Sequence, residues 1–157
     1  MIKASVNVIP ECSLSEIVEI AIQAESLGFS RCWVYDEGLA TRDVYIVMAA
    51  IAMATEKIQI GPGITNPYTR HPGQTAAAIA TLDELSNGRA FLGIGAGGSL
   101  TLNPLAIERD KPLGAVRNTI EIARKLFSGN KVSHQGPIAS LESAKISYAR
   151  PGIEIWL

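Results

Sequence analysis

The spacing of apolar positions changes several times along the chain, and each change marks an element. Residues 2–9 alternate weakly between apolar and polar, which predicts a strand. Ser13-Leu14-Ser15-Glu16 then reads as a capping box. Leu14, Ile17, Val18, Ala21, Ala24 and Leu27 follow at helical spacing, up to a natural stop at Gly28. Residues 31–35 (Arg-Cys-Trp-Val-Tyr) predict a second strand, which ends in Asp36-Glu37-Gly38. A second helix is predicted over about 43–54 and a third strand over 57–61. Pro72 is placed to open a third helix, which ends near Ser86-Asn87-Gly88. The fourth strand, 90–94, runs into Gly95-Ala96-Gly97-Gly98, and a fourth helix spans roughly 113–127 with Gly129 beyond it. Two short extended pieces, near 131–134 and 144–148, are expected to pair as a hairpin, and 153–157 has the look of one more strand.

This strict β-α alternation argues for an α/β fold with a parallel sheet under helical cover. Two architectures compete, a doubly wound sheet and the (βα) units of a TIM barrel, and a spacing of roughly 25–30 residues per unit suits both. A whole (β/α)8 barrel typically needs about 250 residues. In the barrel reading these 157 residues supply a little over half of one, a single partial domain over residues 1–157. The chain stops inside an apolar strand, and such a half would leave two sheet edges open. The expectation is therefore a fragment, or a sheet completed by another chain.

Composition narrows the partners. Apolar residues make up 47% and charged residues 18%, a greasy balance that makes a homo-oligomer plausible. The net charge is −1, with no block of like charge, so nothing favours nucleic acid or a membrane surface. No apolar run approaches the ~20 residues a membrane span needs, and the first residues enter a strand pattern directly, without a signal peptide. Cys12 and Cys32 have no metal-ligand spacing and fit reduced thiols in a cytoplasmic protein, with no metal expected.

The most informative stretch is Ile58 to Pro72. A β-branched run ends in three breakers, Gly61, Pro62 and Gly63, and the small polar residues Thr65 and Asn66 follow. Irregular backbone of this kind gathers where a strand end approaches a ligand closely. The carboxyl ends of parallel strands are also where α/β folds build their sites. The run Gly95, Gly97, Gly98 after the fourth strand is weaker, since glycines there also serve tight turns. It lacks the lysine of a phosphate loop and the first-strand position of a dinucleotide fingerprint.

The string from Gly61 to Arg70 (Gly-Pro-Gly-Ile-Thr-Asn-Pro-Tyr-Thr-Arg), with Arg42-Asp43-Val44-Tyr45 and Leu85-Ser86-Asn87-Gly88-Arg89-Ala90, resembles the luciferase-like monooxygenase superfamily. Within it the chain is most similar to the branch of coenzyme F420-dependent methylenetetrahydromethanopterin reductases. Phe127-Ser128-Gly129, Val132-Ser133 and Ile153-Glu154-Ile155-Trp156 match in the same order, so the resemblance runs from residue 2 to 157. It implies a TIM barrel that holds F420, or alternatively FMN, at the carboxyl ends of its strands. This chain would be the N-terminal half, strands one to four plus the fifth. It also implies a non-prolyl cis peptide at Gly63–Ile64, in a bulge backing one face of the tricyclic ring.

On the same resemblance Asp36 would contact the ring or the substrate as the catalytic residue; the alternative is a capping aspartate in a βα loop. Gly63, Ile64, Thr65, Asn66, Gly95 and Gly97 would bind the cofactor, with Thr65 and Asn66 donating to the ring's carbonyl edge. Tyr68 and Arg70 are divided between the site and subunit packing. The sugar-phosphate dehydrogenases of the branch place a histidine after the aspartate, where this chain has Glu37. Some relatives carry an acidic residue where this chain has Gly98-Ser99, and the methanopterin reductases lead one to expect a carboxylate near Asn7. His71 and His134 are read as non-catalytic, and Trp33 and Trp156 as core. The expected function is hydride transfer between a deazaflavin or flavin and a small organic substrate, such as a methylene-tetrahydropterin. The alternatives are an FMN-dependent monooxygenase and a non-catalytic half-barrel that self-associates.

Overall fold

The computed structural model describes residues 4–157, so the first two residues of the strand expected over 2–9 lie outside it. Three parallel β-α steps and a fourth strand occupy the first part of the chain. They run β1 (Ser5–Val8), α1 (Leu14–Ser26), β2 (Arg31–Val34), α2 (Val44–Ala54), β3 (Gln59–Pro62), α3 (Pro72–Leu85) and β4 (Phe91–Gly93). After β4 come α4 (Ser99–Leu102), a 3-10 turn over Asn103–Leu105, α5 (Pro112–Phe127), β5 (Val132–His134), β6 (Leu141–Ala144) and β7 (Glu154–Trp156). Another 3-10 turn, Gly38–Ala40, precedes α2.

The helix starts follow from capping. Ser13 and Glu16 form the capping box of α1, and Asp43 accepts the N–H groups of Tyr45 and Ile46 at the start of α2. His71 caps α3 through Nδ1, which accepts from the Gly73 N–H, and Pro72 occupies the first turn.

Strand order decides between the two architectures left open by the sequence. β1 pairs with β2 and β2 with β3, both parallel, and parallel bridges at Ile60–Ala90 and Thr65–Ile94 continue the array to β4. β7 then pairs parallel with β4. The order β1-β2-β3-β4-β7 never reverses, as a doubly wound sheet must at its switch point. The fold is of the TIM-barrel type.

One face of the sheet carries Cys32, Val34, Ile60, Leu92 and Ile94 into a core shared with Ile17, Met48, Ile51, Ile79 and Ile122 from the helices. The other face carries Asn7, Trp33 and Gly61 in one register row. The Trp33 ring meets Phe91 edge-on at 4.4 Å and Trp156 at 6.0 Å. A Cβ at Gly61 would overlap the Phe91 ring, which is why this row needs a glycine. Arg31 of β2 reaches Glu154 of β7 at 2.9 Å and lies 4.5 Å over the Trp156 ring. That contact passes across β3 and β4, so the sheet curls. Trp156 is not the core residue the sequence suggested: it stays 39% exposed on the curled face.

One further expectation needs correction. The hairpin exists, but its second arm is Leu141–Ala144, not 144–148. The apolar spacing of Ala144, Ile146 and Tyr148 imitates a strand, yet Ile146 is buried as an anchor inside a turn. A bulge between Val132 and His134 and the left-handed Ser143 (φ 49°) set the register. The segment after Gly98, for which the sequence predicts no element, folds into α4 and a 3-10 turn, which are too short to leave a periodic signal.

The Asn87-Gly88-Arg89 turn has a structural task. Asn87 and Gly88 both take positive φ and deliver Arg89 under the end of α2. Its guanidinium donates to the carbonyls of Ala52, Thr55, Ile58 and Ser86 and to the Thr55 hydroxyl, at 2.7–3.0 Å. It thus satisfies the open carbonyls at the end of α2 and holds the entry to β3. Glu25 serves the same loop by accepting the N–H groups of Glu56, Lys57 and Ile58. Arg89→Leu is expected to cost about 3 kcal/mol or more, because buried carbonyls lose charged donors. Urea unfolding measures it; a loss under about 1 kcal/mol would remove the role assigned to this turn.

Candidate functional site

The catalytic and cofactor-binding candidates from the sequence lie just beyond the carboxyl ends of parallel strands. Asp36 follows β2, Gly63 to Asn66 follow β3, and Gly95 and Gly97 follow β4. The segment after β3 is pinned between its neighbours by main-chain bonds. The Gly63 N–H donates to Val34 O at 2.7 Å, the Thr65 N–H to Gly93 O at 3.1 Å, and the Gly95 N–H to Thr65 O at 2.9 Å. The Gly63–Ile64 peptide is cis.

The glycines here answer to close approach. A Cβ at Gly63 would sit 2.7 Å from the Trp33 Cβ, and one at Gly95 would overlap Cδ1 of Ile64. Gly97 has φ +74°, and its missing Cβ would lie 3.1 Å from the Asn66 Cβ. Gly63, Ile64, Gly95 and Gly97 therefore come together as one surface. Ile64 remains 41% exposed upon it, an apolar platform at a strand end.

Asn66 is 2% exposed and divided in its use. Its Oδ1 accepts the N–H groups of Tyr68 and Thr69 and the Thr69 hydroxyl, at 3.0–3.2 Å, which is local turn bonding. Its Nδ2 is buried without a partner. Such a donor costs about 1–3 kcal/mol and calls for a bound group to explain it.

Thr65 is fully enclosed, and its hydroxyl donates to Asp36 Oδ2 at 2.7 Å. Its one proton is committed there, so the side chain does not serve a ring edge in this arrangement. Burial pushes the Asp36 carboxyl above its ordinary range; nearby Asp43 adds to this, while Thr65, the Gly38 N–H and Arg70 offset part of it.

Tyr45, whose string marked the family but which the sequence did not place in the site, stands 3.5 Å from the Thr65 hydroxyl. Arg70 lies 4.3 Å over its ring. The signal that could have found Tyr45 was its place in the first turn of the helix after β2. Asp36, Tyr45 and Arg70 line a cavity of about 480 Å³ with Leu39, Asp43 and Leu105. Thr101 was also missed; its hydroxyl reaches Asp36 O and Glu37 Oε2 at 3.5 and 3.4 Å.

Other marked residues fall elsewhere. The Tyr68 hydroxyl donates to Asp110 O at 2.8 Å, and Gly98 faces open space. Asn7 is exposed beside Trp33 in the register of β1 and β2. His134 sits on β5 between Asn118 and Lys125, on the hairpin. Burial pushes the Cys32 thiol up to about 12, so it is inert. Among the described residues no cluster of His, Cys, Asp and Glu could hold a metal.

The luciferase-like monooxygenase family profile matches residues 3–157, and the chain belongs to that family. It is 37% identical over 155 residues to a 5,10-methylenetetrahydromethanopterin reductase from Archaeoglobus fulgidus, covering 99% of this chain and 46% of that protein. An F420-dependent glucose-6-phosphate dehydrogenase from Amycolatopsis mediterranei is 35% identical over 150 residues, covering 87% of this chain and 44% of that protein. The solved F420-dependent tetrahydromethanopterin reductase of Methanopyrus kandleri superposes with a TM-score of 0.90 at 30% identity, covering 95% of this chain and 47% of that one. The chain thus spans about half the length of the relatives it matches.

The raised Asp36 carboxyl has a consequence for stability. The fold favours its protonated form, so that contribution is complete below the unfolded value of about 3.9 and is lost as pH rises through the raised value. Asp36→Asn should be neutral or stabilising at pH 7, with its advantage shrinking toward pH 4. Urea midpoints of both proteins across that range test this. A variant less stable at pH 7 than at pH 4, relative to the parent, would reverse the assigned sign.

Proposed function

We infer that the chain is one partial (β/α)8-barrel domain, its N-terminal half. The assembled protein transfers hydride between coenzyme F420 and a small organic substrate, with a methylene-tetrahydropterin as the leading class. The observation that carries this is the platform of Gly63, Ile64, Gly95 and Gly97 beside the orphaned Nδ2 of Asn66. A half-exposed Ile64 laid against glycine backbone suits a flat ring, and an unpaired buried amide donor suits a carbonyl on its edge. The residues present therefore fit a deazaflavin. When bound, that coenzyme supplies a two-electron hydride chemistry.

The chain's own residues do the rest. Gly63 and Ile64 offer one face of the site and block approach from below. Gly95 and Gly97, lacking Cβ atoms, let Ile64 and Asn66 pack directly against the chain after β4. Asn66 would hold the polar edge through Nδ2. Asp36, its carboxyl held above its ordinary range by burial, is the group placed to keep or release a proton. F420 is favoured over FMN because a relative 35% identical and a solved structure 30% identical are both named for F420, whereas an FMN-bound diketocamphane monooxygenase structure, at 21%, supports the fold alone. Self-association is supported by α2, which has no charged residue and turns Ile46 (64% exposed) and Met53 (71%) outward.

Parallel fluorescence titrations with F420 and FMN test the assignment. Saturable F420 binding at micromolar levels, with FMN much weaker, is expected. Preference for FMN would shift the protein to the monooxygenases, and binding of neither would remove the site. Gly63→Ala should weaken F420 binding at least tenfold, since its Cβ meets Trp33, whereas Gly98→Ala, with open space around it, should leave binding unchanged. Equal affinities for the two variants would displace the platform from the site.

A further inference from the structure

Asp36 does not stand alone behind the platform. The Thr65 hydroxyl has one proton, and at 2.7 Å from Asp36 Oδ2 that proton belongs to the carboxyl. Toward Tyr45 the same oxygen can then only accept. The direction the array can take is therefore fixed: Thr65 O–H goes to Asp36, and across the longer 3.5 Å contact Tyr45 O–H can only donate to Thr65, with the buried Thr75 hydroxyl as a competing acceptor. Each donor polarises the next, toward the charged form of Asp36. Thr65 is enclosed, so water does not substitute for either partner.

The far end of the array is also held. The Arg70 guanidinium covers the Tyr45 ring at 4.3 Å. The Asp43 carboxylate caps α2 by accepting the N–H groups of Tyr45 and Ile46, and so fixes the turn that carries Tyr45. Burial pushes the Tyr45 phenol up, so it stays a donor throughout the neutral range. The charged and titratable groups around Asp36 are Glu37 beside it, Asp43 and Tyr45 from the start of α2, and Arg70 from the segment after β3. Tyr45 and Arg70 also line the cavity of about 480 Å³ that Asp36 borders. Oδ2 is occupied by Thr65, so a ligand would meet Asp36 at Oδ1.

We propose that Tyr45 is a positioning residue for Asp36, acting through the Thr65 hydroxyl, with Arg70 locking its ring in place. Tyr45 touches no reacting atom; it sets which carboxylate oxygen is free and how readily Asp36 holds a proton. The functional meaning rests on the role inferred for Asp36 above, but the relay itself does not.

Carboxyl ¹³C NMR of Asp36 across pH tests it on the chain as it stands. Tyr45→Phe keeps the ring, its packing and the Arg70 contact and removes only the O–H. It should move the Asp36 titration upward by about half a pH unit, because the carboxylate loses a polarised donor. Thr65→Val should move it further. Adding Tyr45→Phe to Thr65→Val should then change nothing more, since the link is already cut. An Asp36 titration unmoved by Tyr45→Phe, or a full additional shift in the double variant, overturns the relay. Tyr45→Leu, which disturbs packing, should lower the urea midpoint; Tyr45→Phe should not, which separates positioning from folding. F420 titration of Tyr45→Phe reads the inferred function independently: failure of the parent to bind removes that function and leaves the relay standing.

Discussion

The site depends on how the chain after β3 is held. Residues 63–66 leave the strand, yet their main chain stays bonded on both sides: Gly63 to Val34 of β2, and Thr65 in both directions to Gly93 and Gly95 beside β4. Irregular backbone at a buried strand end would otherwise strand its polar groups. These bonds allow a bulge in the middle of a parallel sheet without opening it. They also turn Ile64 toward Gly95, Thr65 toward Asp36 and Asn66 toward Gly97. Three strands thus contribute to one surface, and none of the contacts is local in sequence.

Several features near that surface make the fold less stable. Asn66 Nδ2 is buried without a partner, Asp36 carries a carboxyl whose charge burial opposes, and Ile64 is left in the open. Folded proteins keep such features where a ligand or a reaction needs them. Stability is recovered on the opposite face of the sheet and at the turns. There Arg89 closes α2, Glu25 gathers three N–H groups, and the Arg150–Asp83 pair, at 2.8 Å, ties the segment before β7 to the end of α3. The two halves of the design sit in different residues, which is why variants at Arg89 and at Gly63 are expected to read out on different assays.

Much of the architecture was legible because it is written in local patterns. The capping box at Ser13, the proline opening α3 and the alternation of apolar runs place the helices and parallel strands within a few residues. Gly63 was legible as a close approach because it stands in a cluster of breakers at a strand end, whereas Gly95 and Gly97 could equally have served a tight turn. What was not legible depends on distant partners. Tyr45 joins the site only because α2 brings its first turn beside Thr65. The choice between a wound sheet and a barrel rests on strand order, which no single segment records. The hairpin was misplaced because Ile146 obeys the strand period while being buried in a turn. Thr65 was read as a ligand donor, but its one proton goes to Asp36.

The central claim is that the platform formed by Gly63, Ile64, Gly95 and Gly97 is the coenzyme surface. Methyl and amide NMR of the chain, recorded while F420 is added, tests it most directly. The account predicts a ring-current shift of the Ile64 δ1 methyl together with shifts of the Gly95 and Gly97 amides, while the methyls of Leu113 and Val116 on α5 stay where they are. Shifts that spare Ile64 and gather along α5, or anywhere away from the ends of β3 and β4, would contradict it.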